Sequence, residues 1–410
     1  MMISVAKALE IICRQVDLLG IETIPLEDAY TRILAEEVHA DCDLPPFDRA
    51  IMDGFALRAS DITNTTTSRS VILDVVGESA AGRPWNGRLH HGEAVKIMTG
   101  AVVPAGADSV QQIELTRPGP TDAVEILKPV TRGQFITPRA SQITAGALLA
   151  GHGELIGSGM IHCLAAFGYS NIKVGRRPKL AVIGTGSELV SVDTQPSDAQ
   201  IRDSNSYVIE AYARAAGAIV ERFPLVIDDQ HELRKMIDKA CDRSDMVIIS
   251  GGSSVGDYDF TAPALQLFKA KIFFDRVRLR PGKPTIFAEI KRRGDRTIIF
   301  GLPGNPVSVT VTFNLFVRTA LRLMQGAKDA LPEEESAILA SEVKALAKRD
   351  SYLPAQIRSE DDGRSIVIPS RWTGSSDFVS AHSANGLIFI PAGNGVIEAG
   401  AIVKTIRLPH

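Results

Sequence analysis

Several short segments combine glycine with hydroxyl, amide or carboxylate side chains in a way that suits holding and cleaving a phosphorylated small molecule. Ile183-Gly184-Thr185-Gly186-Ser187-Glu188, Ser250-Gly251-Gly252-Ser253 and Gly301-Leu302-Pro303-Gly304-Asn305-Pro306 each close an apolar run. Glycine lets backbone N–H groups approach an oxyanion closely. Arg202-Asp203-Ser204-Asn205 opens a helical pattern, where the unpaired N–H groups of a first turn also favour an anion. Carboxylates accompany these turns: Glu188, Asp228 with Asp229, and Asp257 with Asp259. Neighbouring carboxylates repel unless a cation neutralises them, and Mg2+ accepts oxygen ligands while keeping several waters. Solvated loop carboxylates and helix caps produce the same pattern with no metal.

Arg276, Arg278 and Arg280 are spaced two residues apart and run into Pro281-Gly282-Lys283-Pro284. In a strand they share one face, and their forked donors suit oxyanions. The competing reading is an edge strand that uses charge against aggregation. Other chemistries lose ground. There is no His-Glu-x-x-His, no Gly-x-Ser-x-Gly elbow, and none of the glycine turns ends in Gly-Lys-Ser/Thr. Cys13, Cys42, Cys163 and Cys241 lie far apart with no zinc spacing.

These residues need elements to carry them. The run 177–326 alternates strand and helix: Lys179 to Ile183, a helix over 204–216 capped by Ser204 or Asn205, a second helix with Leu233, Met236, Ile237, Ala240 and Cys241 on one face, then the strand at Met246. That pattern predicts a mostly parallel sheet, whose ligands bind beyond the carboxyl ends of the strands. Before it, short β-type runs separated by Gly, Pro and Asn predict a β-rich domain of hairpins over 45–144. After it, the runs at 365–368, 387–390 and 402–406 predict a small C-terminal β domain over 327–410. An amphipathic helix capped by Ser4 opens the chain. Residues 1–44 and 145–176 form the connecting domain.

The 410-residue chain carries a net charge of -3, with 45% hydrophobic and 23% charged residues. It exerts no overall attraction on nucleic acid or an acidic membrane, so any anion site is local. No signal-peptide core or bilayer-length apolar run stands out, and the expected compartment is the cytoplasm.

Taken in order, these segments resemble the MoeA family of molybdopterin molybdenumtransferases, whose animal relative is the E domain of gephyrin. The resemblance also takes in Pro46-Phe47-Asp48, Met52-Asp53-Gly54-Phe55-Ala56, Ile97-Met98-Thr99-Gly100-Ala101 and Pro303-Gly304-Asn305-Pro306-Val307-Ser308. It implies an elongated, four-domain homodimer with its active site between subunits, an α/β domain shared with molybdopterin adenylyltransferases, and adenylylated molybdopterin, molybdate and Mg2+ as reactants. Molybdopterin adenylyltransferase and molybdoenzymes are its implied protein partners. By resemblance, Asp53, Thr99, Glu188, Asp228 and Asp259 are catalytic, with Asp53 and Glu188 the Mg2+ candidates. Asp203, Ser204, Asn205, Gly251, Gly252, Ser253, Arg276, Arg280, Lys283, Pro303, Gly304, Asn305 and Ser308 are the substrate-binding candidates. Arg276, Arg280 and Ser380 are those for molybdate. The chain departs from the family pattern at Gln142, Ser187 and Pro354, where Asp, Asp and Arg respectively are common. A non-catalytic molybdopterin carrier and an adenylyltransferase are the rival readings.

Overall fold

The sheet at the centre of the α/β region is dictated by alternation along its strands. In the computed structural model, which describes residues 2–66, 68–251, 260–292, 294–371, 373–393 and 395–409, Leu180, Val182, Met246, Ile248, Ile298 and Phe300 enter one core. Their alternate neighbours Ala181, Ile183, Val247, Ile249 and Ile299 enter another. Successive strand side chains point to opposite faces, and a sheet covered on both sides reads as continuous apolar runs. The strand order is Ile219–Arg222, Lys179–Gly184, Met246–Ser250, Asp295–Leu302, Ile286–Arg292, Lys271–Phe274. The first four are parallel; Ile286–Arg292 is antiparallel to both its neighbours, so Lys271–Phe274 at the edge runs in the direction of the first four.

Helix Gln230–Cys241 lies on one face with Thr261–Leu267. The other face carries Asn205–Ala215, the opening helix Val5–Gln15 and the long helix Pro306–Met324. That last helix corrects one expectation, since it is 19 residues long with a mean hydropathy of 1.2, enough to cross a bilayer by length and composition. Most of it is buried in the core, and a helix enclosed on every side is apolar all round. Ser4 does cap the opening helix, accepting from the Lys7 N–H at 3.1 Å.

The chain divides into two compact units, and this α/β core belongs to the one formed by residues 1–36, 152–161 and 171–410. The same unit holds the C-terminal barrel. Strands Glu334–Leu339, Asp350–Ser359, Ser365–Pro369, Gly386–Ile390 and Ile402–Arg407 close on themselves, because Asp350–Ser359 pairs with both Ser365–Pro369 and Gly386–Ile390. Closure leaves no open edge among these strands. Ala337, Leu339, Leu353, Ala355, Ile357, Val367, Ile388 and Ile390 fill the interior.

The second unit, residues 37–151 and 162–170, is built on a six-stranded sheet. Its order is Ser109–Gln112, Gly54–Leu57, Glu93–Ile97, Val71–Ser79, Ala123–Ile126, Thr116–Pro118. Gly54 sits where a Cβ would lie 1.8 Å from the Gln111 carbonyl oxygen, so the strand beginning there requires glycine.

Candidate functional site

Three parallel strands end beside one another, and the turns that leave them form the walls of a cleft. Gly184 pairs with Ser250 and Ser250 with Leu302; beyond them the Thr185 N–H donates to the Ser250 carbonyl at 2.9 Å. Gly251, with φ +103°, stands where a Cβ would meet the Thr185 carbonyl oxygen at 2.0 Å. A left-handed conformation and backbone this close both demand glycine. The cleft encloses about 610 Å³, and Thr185, Glu188, Asp203, Ser204, Asn205, Ser250, Gly251, Gly304 and Asn305 are among its lining residues.

Its polar geometry is largely fixed. Asn205 donates through Nδ2 to Ser250 Oγ at 3.1 Å and to the Gly304 carbonyl at 2.6 Å, tying two of the glycine turns to the helix start. Among the described residues its Oδ1 is buried without a partner, as is Oγ1 of Thr185, a residue only 2% exposed. Buried polar atoms are ordinarily paired, so these two oxygens leave hydrogen-bonding capacity in the cleft unused by the described residues. The cap of helix Asn205–Ala215 differs from expectation: Ser204 holds the N-cap position but makes no side-chain cap bond. Asp203 Oδ1 accepts from the Ser206 N–H at 3.1 Å instead.

Glu188 lies on the turn after Gly186, where a Cβ would come within 2.5 Å of Glu188 Oε2. A reciprocal pair pins this turn to the neighbouring loop: the Ser187 N–H donates to Asp228 Oδ2 at 3.0 Å and the Asp228 N–H to Ser187 Oγ at 3.2 Å. Asp229 is a helix cap, accepting from the Glu232 and His231 N–H groups at 2.8 Å each. Those backbone bonds hold its carboxyl below the usual carboxylate range.

One wall comes from the C-terminal barrel. Asn305 Nδ2 donates to Ser375 Oγ at 2.8 Å and the Val307 N–H to the Ser375 carbonyl at 3.0 Å, bringing Ser376 and Phe378 into the lining. Asp377 holds that loop together by accepting from the Thr373 N–H at 2.9 Å, Thr373 Oγ1 at 3.1 Å and the Ser380 N–H at 3.1 Å. These bonds lower its pKa to about 2. Ser380 is therefore part of the loop's frame and is not among the residues lining the cleft.

The other predicted residues fall elsewhere. Arg276 and Arg278 are exposed and Arg280 is half-buried, while Val277 and Leu279 between them are fully buried. The backbone here is pinned on both sides, by Ile3 and by the parallel pairing of Leu279–Arg280 with Asp350–Ser351. Neither Arg276, Arg280 nor Lys283 lines the cleft. Pro303 and Ser308 are buried in the turn and helix behind it. Asp53 and Thr99 belong to the second unit, where the Thr99 hydroxyl and N–H donate to Asp53 Oδ1 at 2.6 and 2.7 Å. The hydroxyl and then the amide hold the Asp53 carboxyl below its ordinary range. Gly252, Ser253 and Asp259, with Asp257, lie outside the described residues. Sequence reasoning gave no role to Thr185, Ser250, Ser375, Ser376 or Phe378. The first two stand inside the quoted glycine turns, and Gly374-Ser375-Ser376-Asp377 carries a turn signal.

The cleft's charge bears on a metal. Glu188 and Asp203 are acidic and Arg202 is the one Lys or Arg among the described lining residues. No three His, Cys, Asp or Glu side chains converge as a metal cage among the described residues. Hard oxygen donors without a preformed cage suit Mg2+ that completes its shell with substrate phosphates and water.

Comparison with known proteins assigns each part. Residues 3–168 match the MoeA N-terminal region (domain I and II), residues 181–323 a probable molybdopterin binding domain, and residues 336–408 the MoeA C-terminal region (domain IV). The molybdopterin molybdenumtransferase of Staphylococcus aureus MSSA476 is 33% identical over 408 residues, covering 98% of this chain and 95% of the relative. That of Staphylococcus epidermidis RP62A is 33% identical over 405 residues, with the same coverage. Two crystal structures of the molybdopterin biosynthesis MoeA protein of Pyrococcus horikoshii superimpose with TM-scores of 0.80 and 0.83. Their identities are 31% and 26%; the first alignment covers 99% of each chain and the second all of both.

Proposed function

This chain belongs to the MoeA family of molybdopterin molybdenumtransferases, transferases of molybdenum cofactor biosynthesis, and on that premise we propose that it inserts molybdate-derived molybdenum into adenylylated molybdopterin. In this reading the adenylate phosphoanhydride is cleaved with Mg2+ and AMP leaves. The observation that carries the proposal is the strand-end cleft, with the unpaired Thr185 and Asn205 oxygens inside the region matched by the molybdopterin-binding model.

Each part of the cleft has a task in that chemistry. The backbone at Gly251 and Gly304 admits the phosphates closely, and the first turn of helix Asn205–Ala215 offers N–H groups and a favourable dipole. Thr185 Oγ1 and Asn205 Oδ1 accept donors from the pterin or ribose. Glu188 would hold Mg2+, with Asp228 keeping its turn in place through Ser187. Bound Mg2+ neutralises phosphate charge and polarises the anhydride, which matters where Glu188 and Asp203 would otherwise repel the substrate. Asp53 with Thr99, Asp259, and the positive charges of Arg276, Arg280 and Lys283 enter the mechanism through the family resemblance, as does a homodimeric, cytoplasmic enzyme.

The test is molybdate-dependent AMP release from adenylylated molybdopterin. Replacing Glu188 by Ala should lower release by about two to three orders of magnitude while leaving the thermal transition in place. Undiminished release would remove Glu188 from the mechanism. A carrier would bind without release, and an adenylyltransferase would consume ATP.

A further inference from the structure

Between Gly186 and Asp203 the chain leaves the body of the α/β core. Both of those residues are buried, and no residue from 187 to 202 is. The segment closes on itself instead. Leu189–Val190 and Ile201–Arg202 form a two-stranded parallel ribbon, in which the Ile201 N–H donates to the Glu188 carbonyl and the Asp203 N–H to the Val190 carbonyl, both at 2.9 Å. In the loop between them the Thr194 N–H donates to the Ser191 carbonyl at 3.1 Å and the Gln200 N–H to the Ser197 carbonyl at 3.0 Å. Arg202 spans that loop, with Nε on the Thr194 carbonyl and Nη2 on Gln195 Oε1, both at 3.1 Å. With no buried side chain to anchor it, such a segment belongs to the low-stability end of a fold, while its own bonds keep it in one piece.

Its ties to the rest of the protein are few. Among the described residues, one hydrogen-bonded contact joins 187–202 to a part of the chain beyond its two flanking residues, the reciprocal pair of Ser187 and Asp228 at 3.0 and 3.2 Å. The pair depends on a hydroxyl. Alanine at 187 could not accept the Asp228 N–H, and a carboxylate there would face that of Asp228. At the two ends, the Gly186 N–H donates to the Val226 carbonyl at 3.0 Å and Asp203 Oδ1 accepts from the Ser206 N–H at 3.1 Å. Gly186 has no side chain to oppose rotation. The same segment furnishes one side of the cleft through Glu188, Pro196, Gln200 and Arg202, so a carboxylate and the one Lys or Arg of the described lining ride on it together.

We propose that residues 187–202 form a strap that swings as one piece about Gly186 and Asp203, and that the Ser187–Asp228 pair is the latch that sets Glu188 in the cleft. Ser187 is then a positioning residue that acts through Glu188. The task given to Glu188 rests on the function proposed above; the strap and its latch do not. Because the internal bonds travel with the strap, opening breaks the latch and leaves them whole. Motions of this kind run on the microsecond-to-millisecond scale.

The experiment is relaxation-dispersion NMR on the full-length chain without ligand, with amide hydrogen exchange beside it, for the parent, Ser187→Ala and Ser187→Thr. Amides from 187 to 202 and the Glu188 carboxyl carbon should share one exchange rate that the sheet amides of 246–250 lack. Removing the hydroxyl should raise the open population about fivefold, the scale of one hydrogen bond, and threonine should restore the parent's value. The Ser187 amide keeps its acceptor on Asp228 in the alanine variant, yet it should exchange about fivefold faster. Thr194, Gln200 and Ile201 should keep their protection throughout. Unrelated rates along the segment, no exchange process in it, or loss of protection at those three amides overturns the one-piece strap. An open population that Ser187→Ala leaves unmoved overturns the latch, and a Glu188 carboxyl silent while the amides exchange overturns its control of that side chain. Undiminished AMP release in Glu188→Ala, with every NMR signature in place, overturns the catalytic reading and leaves the strap standing.

Discussion

Gly251→Ala should damage the cleft far more than Gly304→Ala, although both glycines line it in similar sequence contexts. At Gly251 the backbone has φ +103°, and an added Cβ would lie 2.0 Å from the Thr185 carbonyl oxygen. An L-residue in the left-handed region costs about 1–2 kcal/mol, and forcing backbone apart in a packed setting adds about 1–3 kcal/mol. The sum, about 2–5 kcal/mol, corresponds to a fall of about 10 °C in the melting transition of a unit this size. At Gly304 the nearest atom to an added Cβ is the Gly251 Cα at 3.6 Å, and no left-handed φ is recorded. That substitution should cost no more than about 0.5 kcal/mol. The assay is differential scanning calorimetry of the two variants and the parent, with each transition followed separately because a chain of several domains need not unfold in one step. Adding molybdopterin should then raise the transition of the Gly304→Ala protein but not that of Gly251→Ala, since a ligand stabilises only the state that binds it. A Gly251→Ala protein that melts within a degree or two of the parent, or a Gly304→Ala protein that loses as much, would refute the claim that the close approach at Thr185 builds the site.

Ser187→Ala removes the acceptor for the Asp228 N–H and should cost about 1 kcal/mol in urea denaturation. Ser187→Asp should cost more by placing a second carboxylate against Asp228, and a stabilised Asp variant would contradict the pairing. Asp377, with a folded pKa of about 2 against about 3.9 in the unfolded chain, contributes stability that is fully present above about pH 4 and is lost as pH falls toward 2. The Thr373 and Ser380 amide NMR shifts should therefore move over that interval, and flat shifts there would show that the carboxylate does not hold the loop. Burial pushes the Cys241 thiol up to about 11, leaving about one part in a thousand as thiolate at pH 8. Iodoacetamide on the native protein should label the exposed Cys13 and Cys42 well before Cys241, and equal labelling would count against that burial.

What was legible in the sequence was whatever a short window encodes. The continuous apolar runs at Lys179–Gly184 and Met246–Ser250 announce a doubly covered parallel sheet. The glycine turns that end them announce the cleft. Leu233, Ile237 and Ala240 lie on the buried face of their helix as the spacing predicts. Contacts between distant segments were hidden. Nothing local says that Asp203 rather than Ser204 bonds the first-turn N–H of the next helix, because Asp and Ser cap about equally well. The spacing of Arg276, Arg278 and Arg280 did predict alternation, and the burial of Val277 and Leu279 reflects it. It gave no sign that Ile3 and Asp350 would flank the stretch.

That last point changes how the site's charge balances. With three arginines and a lysine imagined along one wall, an anionic substrate needs no other cation. The described lining instead opposes Glu188 and Asp203 with Arg202 alone, whose guanidinium is already engaged by the Thr194 carbonyl and Gln195 Oε1. A pyrophosphate brought to this cleft adds negative charge to a site that already carries it, and the helix dipole offsets only about half a charge. On the function proposed above, a divalent ion arriving with the substrate's phosphates would offset that charge, with Glu188 as the carboxylate that would hold it.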